Sequence, residues 1–133
     1  MNKKIDLYEA AKNTMHNAYA AYSNFLVGAA ILSENNNIYT GCNVENVSYP
    51  CGTCAEQGAI SAMIAGGDKQ IKEILIISNG KELISPCGAC RQRIAEFATS
   101  NTIIHLANNK SIQKSLKISE LLPLAFDNKD TDL

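Results

Sequence analysis

This chain lacks the marks of several large binding classes. Lysine and arginine (12) do not outnumber aspartate and glutamate (13), leaving a formal charge of −1. Nucleic-acid binders show a basic balance or a basic patch, so neither a polynucleotide nor an anionic membrane surface is expected as a partner. No apolar run approaches the roughly 20 residues of a membrane span. The opening MNKKIDLYEAAKN has no apolar core of the kind a targeting segment carries, and the expectation is a cytoplasmic protein. Proline (3) and glycine (8) are sparse, and there are no low-complexity runs. No internal repeat stands out beyond one short echo. An even complement of cysteines is missing too. There are five, and clustered thiols in a reducing compartment point to metal or catalysis rather than disulfides.

What is present suffices for a core. Of 133 residues 46% are hydrophobic, one domain's worth of chain. Residues 1–126 read as a single domain and DNKDTDL (127–133) as a polar tail. Tyr8, Ala11, Met15, Ala18 and Tyr22 recur at steps of three and four, predicting a helix face over 3–22. His16 in that helix reads as an ordinary surface residue. FLVGAAILSE (25–34) and IYTGCNVEN (38–46) read as a strand hairpin turning at NNN. Residues 54–65 read as a helix stopped by Gly66-Gly67. EILIIS (73–78), a run of branched apolar residues, reads as a strand buried on both faces. A helix over 88–98 follows, then a strand over 102–108 in which His105 is read as structural. An edge strand SIQKSLKI and a last helical turn over 119–126 complete the chain. Helices alternating with buried strands predict an α/β fold: a three-layer α/β/α sandwich over a mixed sheet of about five strands.

The echo is PCGTC (50–54) and PCGAC (86–90). Paired Cys-x2-Cys motifs are a strong zinc signal. Both fall where loops enter helices, and a helix N-terminus favours the thiolate. A closed structural site would use all four cysteines. An open one would use Cys54, Cys87 and Cys90, leaving the fourth position to water and Cys51 spare. Glu56 favours the open site. A carboxylate adds nothing to a closed thiolate cage, but it can move the proton of a metal-activated water. Its plainer role is a favourable charge in a helix first turn. Residues i and i+2 of a helix do not share a face, so Cys54 and Glu56 converge only if Cys54 lies at the non-helical edge. A thiol–disulfide protein using Cys-Gly-x-Cys is a third reading.

Cys-Ala-Glu at 54–56 followed by PCGACRQ at 86–92 resembles the zinc-dependent nucleoside deaminases, in particular the small homo-oligomeric cytidine deaminase family. YSNFLVGAA (22–30), GCNVEN (41–46), SYP (48–50), SPCGACRQ (85–92) and ELLPLAF (120–126) stand in that family's order and spacing. The resemblance implies hydrolytic deamination of cytidine and 2'-deoxycytidine in pyrimidine salvage, with one zinc per chain on Cys54, Cys87 and Cys90. Glu56 would be the proton shuttle. Asn43 and Glu45 would bind the ribose 3'-hydroxyl, Phe25 would pack on the pyrimidine, and the Ala55 backbone would hold the base edge. Phe126 would reach a neighbouring subunit's site, making the working unit a homotetramer. Another cytosine-bearing compound as substrate is the alternative within this class. The chain departs from the family at position 57, where Gln57 replaces the usual arginine. Arg91 and the helix N-termini are then expected to balance the thiolate charge. Cys51 and Leu26 replace a leucine-like residue and a common proline.

Overall fold

The computed structural model describes residues 3–127, with side chains from Asp6 onward. The tail expected over 127–133 lies, apart from Asp127, outside the described residues. The elements are α1 (Lys3–Met15), β1 (Val27–Ser33), β2 (Ile38–Cys42), α2 (Ala55–Ala65), β3 (Ile71–Ser78), α3 (Gly88–Phe97), β4 (Ala98–Ala107), β5 (Ile112–Lys117) and α4 (Ile118–Leu121), with a 3-10 turn at Tyr49–Cys51. One five-stranded sheet runs β2-β1-β3-β4-β5. β3 and β4 are parallel, joined through α3, and the other three pairings are antiparallel. The sheet is therefore mixed, as its sequence pattern predicts.

The two-residue alternation of the strands feeds two cores. Ala30, Leu32, Leu75 and Ile77 point to Leu7, Ala11 and Met15 of α1. Ala29, Ile31, Ile74, Ile76, Ile104 and Leu106 point the other way, to Ala59 and Met63 of α2, Ile94 of α3 and Leu121 of α4. This is the three-layer sandwich. Close seating of two helices depends on glycine. A Cβ on Gly28 would stand 2.2 Å from the Ala11 carbonyl oxygen, and one on Gly41 would stand 2.3 Å from the Ala59 nitrogen. Among the described residues no helix is long and apolar enough to cross a membrane.

Several boundaries differ from the sequence reading; β4 starts at Ala98 rather than at 102, and β1 at Val27 rather than at 25. α1 stops at Met15 instead of running to Tyr22. Asn17 and Ala18 make turn bonds to Thr14 and Met15, and the chain leaves to pair Tyr19 with Val44. His16 is exposed, just past the helix. β2 ends at Cys42, so residues 43–46 are extended but outside the sheet. α4 ends at Leu121 because Pro123 bars Leu122 from helical backbone, and Leu122 sits at φ −139°, ψ 77°. His105 is buried in β4, with Nδ1 2.6 Å from Ser115 Oγ and Nε2 2.7 Å from Glu73. It ties three strands together.

Candidate active site

Val27 at the start of β1 pairs with Ser78 at the end of β3, and Gly28 pairs with Cys42 at the end of β2. Three loops therefore meet at one end of the sheet. Open α/β sheets hold ligands in such crevices outside strand ends. A cavity of about 610 Å³ opens there, within the range of small-molecule sites. Phe25, Asn43, Glu45, Cys54, Ala55, Glu56 and Cys87 all line it.

The sulfurs of Cys54, Cys87 and Cys90 lie within 4.8 Å of one another. Two helix starts bring them together. Cys54 is the N-cap of α2 at φ −81°, ψ 158°, and Cys87 is the N-cap of α3 at φ −65°, ψ 167°. Both are extended residues whose carbonyls already accept the first helical bonds, from Gly58 and Arg91. Cys54 thus occupies the non-helical edge that a shared pocket with Glu56 requires. Cys90, one turn into α3, is fully buried. The Cys90 backbone N–H lowers the pKa of the Cys87 thiol, while burial raises those of Cys54 and Cys90. Burial thus disfavours the charged form of Cys54 and Cys90. Three convergent cysteine sulfurs, with a cavity beside them, fit zinc.

Cys51 is not in the group. It is exposed, and its thiol donates to Ser48 Oγ at 3.6 Å. The closed four-cysteine site does not form among the described residues. Glu56 is 5% exposed, and burial raises its carboxyl pKa above the usual range.

On the opposite wall, Val44 is clamped between Tyr19 and Thr53. That holds the 43–45 segment extended, with Asn43 and Glu45 both facing the cavity. Asn43 Oδ1 accepts from the Val27 N–H and its Nδ2 donates to the Phe25 carbonyl, both at 2.9 Å. Asn43 thereby fixes the backbone on either side of Leu26, next to Phe25. Glu45 accepts from the N–H groups of Tyr22 (2.9 Å) and Ser23 (3.1 Å) and from the Ser23 hydroxyl. These donors, the hydroxyl foremost, lower its pKa, so it stays charged.

Phe126 is 68% exposed and lies outside its own chain's cavity; its carbonyl accepts from Gln92 Nε2. Arg91 is turned away from the sulfurs. Its guanidinium binds the Pro86 and Leu121 carbonyls and Ser85 Oγ. Gln57 makes no hydrogen bond to the cluster. The charged group beside it is Arg93, whose Nη1 stands 3.5 Å from Cys90 Sγ. Sequence reasoning passed over Arg93, although its i+3 spacing from Cys90 puts the two on one helix face. It also passed over Asn79, which exchanges bonds with Leu26 and Asn24 across the loop that presents Phe25.

A family model described as the cytidine and deoxycytidylate deaminase zinc-binding region matches residues 1–106. A cytidine deaminase of Sporosarcina psychrophila is 39% identical over 124 residues, covering 93% of this chain and 91% of that one. One of Halalkalibacterium halodurans is 36% identical, covering 98% of each. Among solved structures, a cytidine deaminase of Burkholderia pseudomallei superposes with a TM-score of 0.87 at 37% identity, covering 95% of this chain and all of that one. A cytidine deaminase of Mycobacterium tuberculosis gives 0.81 at 32% identity, covering 96% and 99%.

Proposed function

Because this chain belongs to the cytidine and deoxycytidylate deaminase family, whose members here are zinc-dependent hydrolases, we propose that it converts cytidine and 2'-deoxycytidine to uridine and 2'-deoxyuridine with release of ammonia. One zinc per chain would be held by Cys54, Cys87 and Cys90. When bound, zinc supplies the Lewis acidity that makes a water nucleophilic near neutral pH.

The chain's own residues do the rest. Glu56 takes a proton from the attacking water and delivers it to N3 of the cytosine ring, which makes C4 electrophilic. As the water oxygen bonds to C4, Glu56 takes the second proton from the new hydroxyl and passes it to the amine, whose C4–N bond breaks to release ammonia. A buried carboxyl with a raised pKa suits both directions, since an acid–base group works best with a pKa near the working pH. Phe25 packs on the pyrimidine, and the Ala55 backbone holds the base edge. Asn43 and the charged Glu45 hold the ribose 3'-hydroxyl, which both nucleosides carry. Phe126 covers the nucleoside in a neighbouring subunit of a homotetramer. The exposure of Phe126 and its absence from the lining of the chain's own cavity support that role. The reaction serves pyrimidine salvage in the cytoplasm, where reducing conditions keep the five cysteines as thiols.

The observation that carries this reading is one buried carboxyl group lining the same cavity as Cys54 and Cys87, whose sulfurs converge with that of Cys90. Zinc content and the ultraviolet change from cytidine to uridine test it, on wild type and Glu56→Gln together. The variant keeps its zinc and its fold and loses turnover by roughly 10²–10⁴-fold. Normal turnover by Glu56→Gln would sink the shuttle, and a wild type without zinc or turnover would sink the function.

A further inference from the structure

Resting on the zinc reading above, we propose that Arg93 is the charge-balancing and positioning residue of this site, holding Cys90 from α3 in place of a cation at position 57. Three thiolates around Zn²⁺ leave a net charge of −1, and the Glu56 carboxylate adds to it when ionised. Cys87 is exposed and Cys54 half-buried, but the part of that charge on Cys90 and Glu56 sits where water is scarce, because Cys90 is fully buried and Glu56 nearly so. An uncompensated charge in such a place is costly.

The compensators can be taken in turn. The N-termini of α2 and α3 each bring partial positive charge to Cys54 and Cys87, their N-cap residues, but Cys90 lies one turn further in. Arg91 spends its guanidinium on the Pro86 and Leu121 carbonyls and Ser85 Oγ. Gln57 is neutral. Arg93 remains, one helical turn beyond Cys90, with Nη1 3.5 Å from Cys90 Sγ. Arginine suits the task because it is permanently charged and more weakly hydrated than lysine. It also gives Cys90 a fixed hydrogen-bond donor, and such outer partners orient a ligand and tune its donor strength.

The test is the zinc dissociation constant, measured by competition with a chromophoric chelator for wild type, Arg93→Gln and Arg93→Lys, with melting curves of the zinc-loaded proteins. Outer partners of metal ligands are worth roughly 10–100-fold in affinity. Arg93→Gln is expected to lose that much, while Arg93→Lys keeps most of the affinity. Wild-type affinity in Arg93→Gln would overturn the proposal. So would equal losses in both variants, because packing rather than charge would then be at stake. If wild type itself held no zinc, the underlying site reading would fail instead, so the two failures are distinct.

Discussion

Replacing Gly41 by alanine tests whether the seat of α2 sets the geometry of the site. A Cβ at position 41 would meet the Ala59 nitrogen at 2.3 Å and the Ala55 carbonyl oxygen at 2.4 Å, where ordinary contact begins at 3.4 Å. Both atoms are backbone, so no side chain can swing aside. The helix must retreat from β2 by about 1 Å, and overpacking of this sort costs about 1–3 kcal/mol. For a chain of this length that lowers the melting temperature by about 4–12 °C. α2 and its N-cap carry Cys54 and Glu56, whereas Cys87 and Cys90 ride on α3. The retreat therefore separates the two halves of the site, and a misplacement of about 1 Å can cost on the order of 10²-fold in rate. Gly28→Ala is the control. Its Cβ would collide with Ala11 and Met15 of α1, on the opposite face of the sheet. Melting of the zinc-loaded proteins, zinc content and turnover well below both transitions make the comparison. Both variants lose stability, and Gly41→Ala loses far more turnover. If Gly41→Ala melts and turns over like wild type, α2 is not seated as described. If both lose turnover equally, the link from that seat to the chemistry is wrong.

Two other substitutions probe parts the chemistry does not use. Cys51→Ala leaves zinc content unchanged and turnover within about twofold, as expected of an exposed residue away from special features; loss of zinc would show Cys51 to be a ligand after all. Asp68 accepts hydrogen bonds from Ser33, Asn35, Asn37 and Tyr39, and these, the Ser33 hydroxyl first, hold its pKa well below the usual aspartate value. Its folded pKa is depressed, so its contribution is complete above about pH 4, the unfolded value, and is lost as pH falls from there toward the folded pKa. Urea midpoints between pH 5 and 3 should fall more steeply for wild type than for Asp68→Asn. The difference between the two curves cancels any shared loss of metal, and parallel curves would refute the role.

The elements that the sequence announces clearly are those whose burial is two-sided or whose ends carry their own stop. β3 reads directly from EILIIS because α1 and α2 cover its two faces, leaving every position from Ile74 to Ile77 buried. α2 is bounded by Cys54 and Gly66, as its pattern predicts. The errors fall where tertiary pairing overrides local period. Ala18 and Tyr22 continue the steps of α1, yet Tyr19 is taken by Val44 and the helix cannot continue. Asn43 and Glu45 alternate like strand residues and do face one way, but two isolated bridges at Val44 hold them there rather than the sheet. The cavity-lining candidates were within reach because the motif residues sit at strand and helix ends, which topology brings together. The partners that hold them, Ser23 on Glu45 and Asn79 on the Phe25 loop, were not, since their contacts span 22 and more residues.

The cation beside the sulfurs is a different kind of miss, because the rule that finds it was already in use. Cys87 and Cys90 share a face at i and i+3, and the same step from Cys90 leads to Arg93. The adjacent Arg91 attracted the assignment because it is next in the chain. In a helix of 3.6 residues per turn, a neighbour points about 100° away, while a residue three further on comes back to within about 60°. The guanidinium of Arg91 accordingly faces the Ser85–Pro86 loop and α4, and that of Arg93 faces the sulfur. Two helix starts converge on this cluster, so a compensating charge has two scaffolds from which to reach it. A glutamine at position 57 therefore does not imply an uncompensated site. The place to look for the missing charge is the sulfur-facing stripe of the other helix.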